Sequence, residues 1–340
     1  MRCVSIIMVN YNGVKYIGKK DLQEAIESFL KTDYPDFEFI FVDNASTDKS
    51  VALVRNILKK YPSVRAKIII NKRNLGFAGG CNIGIEHSEG EYICLVNNDD
   101  KPVDNNWLRE LVKVIESNNK IGAVFSKKIK WTSLNEVDAR GMTITPPGFV
   151  IGPTNLSDER AVTPCLIWQT PVLFRKALIR EIGGNFFDDD YLILHDDTDS
   201  SIRIWLAGYK IVYVPTSVVS HKRSATMKAL PVEFVCFHGR KNIIQTIIKN
   251  YQFKNLVQWL PITISIYLAL IVYYLLVKRI DHVKATFKAI VWNIRNFGKI
   301  LQKRKIIQRY VRKVSDTIIF KLMKPFSILQ MLKSKKIWPR

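Results

Sequence analysis

The sequence predicts an α/β fold, a doubly wound and mainly parallel sheet, followed by a basic helical region. Three observations predict it. Short apolar runs alternate with stretches of helical periodicity, as strands alternate with the crossover helices of a parallel sheet. Successive apolar runs end in polar side chains: Asn10 and Asn12, Asp43, and Asn97 and Asp99. Ligands of open α/β sheets sit beyond the carboxyl ends of the strands, so three polar ends at one edge suggest a nucleotide crevice. Charge is divided unevenly. Residues 1–221 carry 27 Lys+Arg and 27 Asp+Glu, whereas residues 222–340 carry 25 basic and 3 acidic residues, the whole net charge of +22. A neutral body is thus joined to a cationic tail that faces something anionic.

Val4–Val9 reads as the first strand. Leu22, Ala25, Ile26, Phe29 and Leu30 give Asp21–Leu30 helical spacing. Glu38–Val42 is the second strand, and Ser46 or Thr47 is placed to cap a helix over Ser50–Lys60. Ala66–Ile70 leads through the glycines of 76–80 into a helix ending near His87. This segment is not GxGxxG and follows the third strand, which argues against a dinucleotide site. Its glycines suit a close backbone approach to a ligand, or a helix packed tightly on the sheet. Glu91–Val96 is the fourth strand and ends in Asn97-Asn98-Asp99-Asp100. Such oxygen donors suit Mg²⁺ or Mn²⁺ carrying a diphosphate, or make a plain polar loop.

Trp107–Glu116 reads as a helix and Ile121–Ile129 as a strand. Residues 131–165 lack periodicity, as an acceptor-facing loop would. Leu166–Arg175 reads as a strand, and Ala177–Ile182 as a short helix closed by Gly183-Gly184. Asp188-Asp189-Asp190 reads as a turn of solvated carboxylates. Asp196, Asp197 and Asp199 precede a helix over Ser200–Ala207. Capping needs one carboxylate; three packed together raise one another's pKa, a setting for a general base. Strands Tyr209–Val214 and Ser217–Ser220 follow, closed by His221, which could ligand a metal or contact phosphate.

Five cysteines without CxxC spacing point to a reducing compartment and no zinc site. The Met1–Val9 run reads as a strand rather than a secretory leader.

Four ordered motifs then resemble family 2 glycosyltransferases, nearest the branch of rhamnosyltransferases and other cell-envelope sugar transferases. They are Ser5-Ile6-Ile7 with Asn10-Tyr11-Asn12, Val42 to Asp48, Asn74 to Asn82, and Asn97-Asn98-Asp99. Asp196-Asp197-Thr198-Asp199 with Ala207-Gly208-Tyr209-Lys210 and His221 is similar to that branch's Glu-Asp-X-Asp element. Arg240-Lys241-Asn242 with Lys249-Asn250-Tyr251 is similar to its Arg-Asn region. The resemblance covers about residues 3–250. It implies a glycosyltransferase-A fold and inverting transfer from a nucleoside-diphosphate sugar. By position, Asp43 would contact the nucleotide base, Asn10 and Asn12 would line its pocket, and Asn74 and Gly76 would border ribose and diphosphate. Asp99 would hold Mg²⁺ or Mn²⁺ with His221, and Asp197 would be the base, with Asp196, Asp199 and Arg240 as secondary site residues. Three positions depart from the pattern: Asn97 replaces a common Asp, Asp196 replaces the Glu and leaves it open as the base, and Gln169 replaces a small Gly.

In the tail, Asn255–Val277 has no formal charge and is long enough to cross a bilayer. A single span would export residues 278–340, with 18 basic and 2 acidic residues, against the positive-inside bias. An in-plane or re-entrant segment is preferred. Helices over 282–301 and 305–323 put Val283, Phe287, Ile290, Val291, Ile294, Phe297 and Leu301, then Ile306 to Leu322, on apolar faces flanked by basic residues, the pattern of membrane-surface elements. A nucleic-acid partner is not expected, since no binding motif accompanies the charge.

The reading is a catalytic domain over 1–228 and a membrane-associated helical region over 229–340. The chain would be an inverting glycosyltransferase at the cytoplasmic face of the membrane. It would move a sugar to a lipid-linked saccharide or cell-envelope glycan, with oligomerisation left open. The alternative is a catalytically lapsed nucleotide-binding or scaffold protein of a glycan-assembly complex.

Overall fold

A computed structural model describes residues 2–153, 161–222 and 230–327; the expected 228/229 boundary lies outside the described residues. The sheet begins with β1 (Val4–Asn10), buried throughout, then β2 (Phe37–Asp43), β3 (Arg65–Ile70) and β4 (Tyr92–Asn97). These four pair in parallel in the order β4-β1-β2-β3. Register sets Asn10 opposite Asp43, and Val9 opposite Asn97. The three polar strand ends therefore meet at one edge. Between the strands run α1 (Gly13–Tyr16), α2 (Lys19–Leu30), α3 (Ser50–Leu58) and α4 (Gly76–Glu86). Helix α2 buries Leu22, Ala25, Ile26, Phe29 and Leu30, the stripe its periodicity predicts.

The sheet continues through β5 (Asp100–Pro102), α5 (Trp107–Glu116) and β6 (Ile121–Lys130). Then come β7 (Ser133–Ala139), β8 (Met142–Ile144), β9 (Val150–Pro153), β10 (Thr163–Pro164) and β11 (Val172–Arg175). After α6 (Leu178–Glu181) and α7 (Asp196–Leu206), β12 (Lys210–His221) pairs in parallel with β6. Strand β11 runs antiparallel between β4 and β6 and joins the two halves of the sheet.

Several expectations are corrected. Segment 131–165 is not one loop: β7 pairs with β6, and β8 and β9 form a hairpin. Strand β11 starts only at Val172, after Pro171, which has no N–H for a ladder. The two strands expected over 209–220 are one strand with an irregularity between Val214 and Val218. Ser46 does not cap α3, because its hydroxyl is turned to Asp43; Asp48 Oδ1 accepts from the Ser50 amide at 2.9 Å instead. The glycines of α4 serve packing: a Cβ at Gly80 would meet Val9 Cγ1 at 2.7 Å, and one at Gly76, with φ +71°, would meet the Leu192 carbonyl oxygen at 2.1 Å.

The C-terminal region holds α8 (Val232–Asn250), α9 (Phe253–Leu276), α10 (Ile280–Arg295), α11 (Phe297–Ile306) and, after a π turn at Ile307–Val311, α12 (Thr317–Leu322). The expected helix over 282–301 is broken at Asn296, and that over 305–323 is broken by the π turn and Arg312–Asp316. From Arg240 to Asn250 every residue of α8 is buried, so this helix lies between the sheet domain and the later helices.

The 188–190 turn is the largest correction. Asp188 and Asp190 are not solvated. Lys249, itself 1% exposed, pairs with Asp188 and, at 2.9 Å, with Asp199. Lys303 pairs with Asp188 and, at 2.6 Å, with Asp190; Lys299 lies 2.5 Å from Asp190. The sequence hides this because all three lysines come from helices far downstream. Burial works to raise the Asp188 carboxyl, but Lys249 and Lys303 prevail and hold it below the usual range. Its contribution to stability is therefore present above the ordinary carboxylate pKa and is lost as pH falls through the depressed folded value.

Replacing Lys249 by Met should leave Asp188 and Asp199 short of their buried countercharge and cost about 3–5 kcal/mol. Thermal denaturation of the full chain should show a lowered midpoint, and an unchanged midpoint would refute the role of this cluster.

Candidate functional site

Two adjoining cavities open at the carboxyl edge of the sheet. One, about 290 Å³, is lined by Tyr11, Asn44, Asn74, Gly76, Asn97, Asp99 and His221, with Leu230 just before α8 and Phe234 in its first turn. The other, about 510 Å³, is lined by Lys128, Trp168, Gln169, Thr170, His195, Asp196 and Asp197. Phe77, Asn97 and Ile193 border both.

The first cavity is braced by residues that the sequence places in its lining. Asp43 is fully buried. Its Oδ1 accepts from Asn10 Nδ2 at 3.1 Å and Ser46 Oγ at 2.6 Å, and its Oδ2 accepts from the Ser46 amide at 2.8 Å. Asn12 Oδ1 accepts from the Thr47 amide, and Asn10 Oδ1 accepts from Asn98 Nδ2, both at 2.8 Å. Asn10, Asn12 and Asp43 are thus committed to fixing two loops rather than lining the cavity. Tyr11 and Asn44, which sequence reasoning passed over, form the wall instead. Their only signal was position, between or beside the asparagines and Asp43. Asn74 Oδ1 accepts from the Gly76 amide at 2.8 Å and holds the entry to α4.

At the floor, Asp99, Asp100 and His221 bring ligand atoms within 4.8 Å of one another. Asp100 is fully buried, and its Oδ1 accepts from Lys128 Nζ at 2.8 Å. Burial pushes this carboxyl up; Lys128 resists. His221 Nε2 lies 3.3 Å from Asp99 Oδ2, while Nδ1 lies 2.8 Å from Asp138 Oδ2. A carboxylate on Nδ1 fixes the tautomer that presents the Nε2 lone pair. Burial and Lys128 oppose a charged imidazole, yet Asp99 and Asp100 raise the His221 pKa. A divalent cation fits this donor set, with Asp99 and His221 as ligands and Asp100 already paired to Lys128. Asp138 went unread because it sits on β7, in the segment taken for a loop.

The second cavity holds the acidic cluster. Leu194 and His195 both adopt left-handed backbone, φ 63° and 60°, an uncommon state for non-glycine residues that is costly and gathers at functional sites. Asn242 Nδ2 donates to the Ile193 and Leu194 carbonyls at 2.9 and 2.7 Å and holds this turn in place. Helix α7 begins at Asp196, four residues earlier than its expected start, so both candidate bases lie in its first turn. Burial pushes Asp196 up to about 8, aided by the charge of Asp197. Burial also pushes Asp197 up, to about 6, with the Thr198 amide and hydroxyl holding it lower. Asp199 points elsewhere: it pairs with Arg203 at 3.0 Å and with Lys249, and accepts from Asn250 Nδ2 at 2.8 Å. Arg240 is also outside the cavities, donating to the His282 carbonyl at 2.9 Å and the Thr286 hydroxyl at 2.6 Å. Both are framework residues, because each is saturated by partners within the helical packing. Gln169 Oε1 accepts from the Gly141 amide at 3.0 Å while lining the cavity.

Comparison with known proteins places this geometry. The chain is 38% identical over 100 residues to an uncharacterized glycosyltransferase of Haemophilus influenzae, covering 29% of this chain and 37% of that one. It thus spans little more than a third of the length of the first curated relatives it matches. It is 25% identical over 233 residues to the glycosyltransferase GlyG of Streptococcus pneumoniae, covering 65% and 70% of the two chains. Among solved structures, it is similar to the mannosyltransferase PcManGT of Pyrobaculum calidifontis in complex with GDP-Man and Mn²⁺, with TM-score 0.52 and 17% identity over 94% of this chain and 84% of that one. The mainly parallel sheet with its antiparallel insert is the glycosyltransferase-A fold. Residues 5–182, just over half of the chain, match the model of glycosyl transferase family 2, and the chain belongs to that family.

Proposed function

We propose that this protein is an inverting glycosyltransferase that moves a sugar from a nucleoside diphosphate to an acceptor held at the cytoplasmic face of the membrane, a lipid-linked saccharide or cell-envelope glycan. The observation that carries the proposal is the junction of two cavities, one floored by Asp99 and His221 and one edged by Asp197. The donor nucleotide would lie between Tyr11, Asn44 and Phe234, with its diphosphate toward Asp99. A Mg²⁺ or Mn²⁺ ion held by Asp99 and His221 would neutralise charge on the leaving diphosphate. The complex of PcManGT, similar in fold, with GDP-Man and Mn²⁺ supports a nucleotide-sugar donor and a divalent ion.

On the acceptor side a single base suffices for one inverting displacement, unlike the carboxyl pair of a glycosidase. Burial raises both carboxyls, and the charge of Asp197 raises Asp196 further, so Asp197 is the readier of the two to ionise. Asp197 would then take the acceptor hydroxyl proton. The Thr198 amide, 2.6 Å from Asp197 Oδ1, fixes the carboxylate.

The first test is thermal denaturation against UDP, GDP, dTDP, CMP and ADP, each with and without Mn²⁺. A ligand binding only the folded state raises the midpoint by mass action. One diphosphate should do so in a Mn²⁺-dependent way, and Asp99→Ala should remove the effect. No shift with any nucleotide would favour the lapsed scaffold.

Asp197→Asn should lower turnover by about 10²–10⁴-fold while leaving the nucleotide shift intact. The wild-type rate should fall with decreasing pH through about 6, as the base becomes protonated. Substantial turnover by Asp197→Asn would reassign the base. Asp138→Ala should weaken Mn²⁺ binding about 10–100-fold, read by electron paramagnetic resonance without substrate, and Asp138→Asn should retain most of it. Equal Mn²⁺ affinity in all three proteins would remove Asp138 from the site.

A further inference from the structure

We infer that α9 and α10 form an in-plane docking face for an anionic bilayer leaflet, and that α9 does not cross the membrane. Helix α9 is the one helix among the described residues long and apolar enough for a span. Its inner side, however, is held by protein along most of its length. Asn255 Nδ2 donates to Asp316 at 2.8 Å, and Thr263 Oγ1 to the Pro147 carbonyl at 3.0 Å. Tyr267 meets Phe149 edge-on, and Tyr274 stacks on His282 with ring centroids 4.4 Å apart. From Asn255 to Tyr274 is about 28 Å at 1.5 Å per residue, close to the roughly 30 Å of a hydrocarbon core. A span would drag the β8–β9 hairpin and Asp316, with its partner Arg312 at 2.8 Å, into lipid.

The outer side divides in two. The first half exposes Lys254, Gln258, Pro261 and Ser265 together with Phe253 and Val257, at 74% and 56%. The second exposes Leu268, Val272, Leu275 and Leu276, the last at 78%. Exposure continues around the corner through Lys278, Arg279 and Ile280. Helix α10 sets Val283, Ile290 and Trp292 half-buried against the core. It buries Ala285, Thr286, Ala289 and Asn293, while Phe287 and Ile294 stand 62% and 68% exposed. Lys278, Arg279, Lys284 and Arg295 are exposed around these apolar groups.

Phe287 and Ile294 outward, small and polar side chains buried, and cations at the margin match a helix lying in the interface with its lysines reaching phosphates. The 25 basic against 3 acidic residues of 222–340 complement an anionic leaflet. The face also adjoins the site. Lys288 pairs with Glu233 at 2.5 Å, in the first turn of α8, whose Phe234 lines the nucleotide-side cavity. An acceptor in the leaflet would meet the cavity mouth there; that last step alone rests on the transfer proposed above.

The test is cosedimentation of the full chain with vesicles of phosphatidylcholine alone, or mixed with phosphatidylglycerol. Binding should require phosphatidylglycerol, weaken with salt, and fall about tenfold or more in Leu276→Glu/Phe287→Glu. The nucleotide-induced thermal shift should be unchanged in that variant, which shows that it folds. Alkaline carbonate should release the bound protein. Retention after carbonate would establish a span and overturn the in-plane assignment. Equal binding by wild type and variant would overturn the face, as would a wild-type dimer that the two glutamates dissociate and that ignores vesicles. Vesicle binding as expected without any nucleotide shift would uphold the docking face and sink the transferase reading alone.

Discussion

The structure depends on Lys249, a cation almost without solvent contact that answers two carboxylates from different parts of the chain. Asp199 lies in the first turn of α7, and Asp188 lies in the turn before it. Burying an ion costs several kcal/mol unless its partners are well placed. Here the partners are fixed in turn by Arg203 and by Lys303. The same cluster therefore docks α8 and α11 onto the sheet domain and fixes the axis of α7. A charge cluster tolerates less sliding than an apolar contact, because a displaced partner leaves an unpaired ion. That rigidity is transmitted to the two residues that open α7, Asp196 and Asp197.

Those residues need it, because the turn that presents them is strained. Two consecutive left-handed residues, Leu194 and His195, persist only where surroundings over-determine them. Asn242 supplies part of that constraint by capturing both carbonyls before the turn. The helical region and the candidate base are thus one mechanical unit. The run Arg240-Lys241-Asn242 divides its labour along α8: Arg240 faces α10, and Asn242 faces the site. Spacing on a helix separates neighbouring residues by about 100°, so adjacent positions in a motif need not share a task.

Most of the sheet was legible because buried parallel strands are continuous apolar runs, and β1, β2, β4 and α5 fall where the pattern puts them. What escaped has a common physical origin. The described parts of segment 131–165 form short strands, β7 on β6, β10 on β12 and the β8–β9 hairpin, whose pairing no local periodicity marks. Asp188-Asp189-Asp190 looks solvated because no cation is near in sequence. Asp43, Asn10 and Asn12 were correctly placed at the crevice edge, yet their side chains turn into the loops. A polar residue at a strand end can bind a ligand or shape the loop that does, and only hydrogen-bond geometry separates the two. The amphipathic face of α10 was also legible as a pattern, but not whether it turned inward or outward.

The floor of the site shows why a neutral amide at position 97 is compatible with the proposed chemistry. Asp99, Asp100 and Asp138 already surround His221, and Lys128 is committed to Asp100. The Asn97 backbone N–H donates to Asp100 Oδ2 at 3.3 Å, and the side chain borders both cavities. A fourth carboxylate there would add negative charge where the proposed diphosphate would settle, and like charges at short range raise one another's pKa. An amide offers hydrogen bonds without that repulsion. In the proposed site, metal affinity would rest on the orientation of few ligands rather than on carboxylate number, and the Nδ1 contact of His221 with Asp138 would supply that orientation. The departure at Asn97 would thus shift the burden from first ligands to the groups behind them, and the residue on β7 would matter as much as those in the motif.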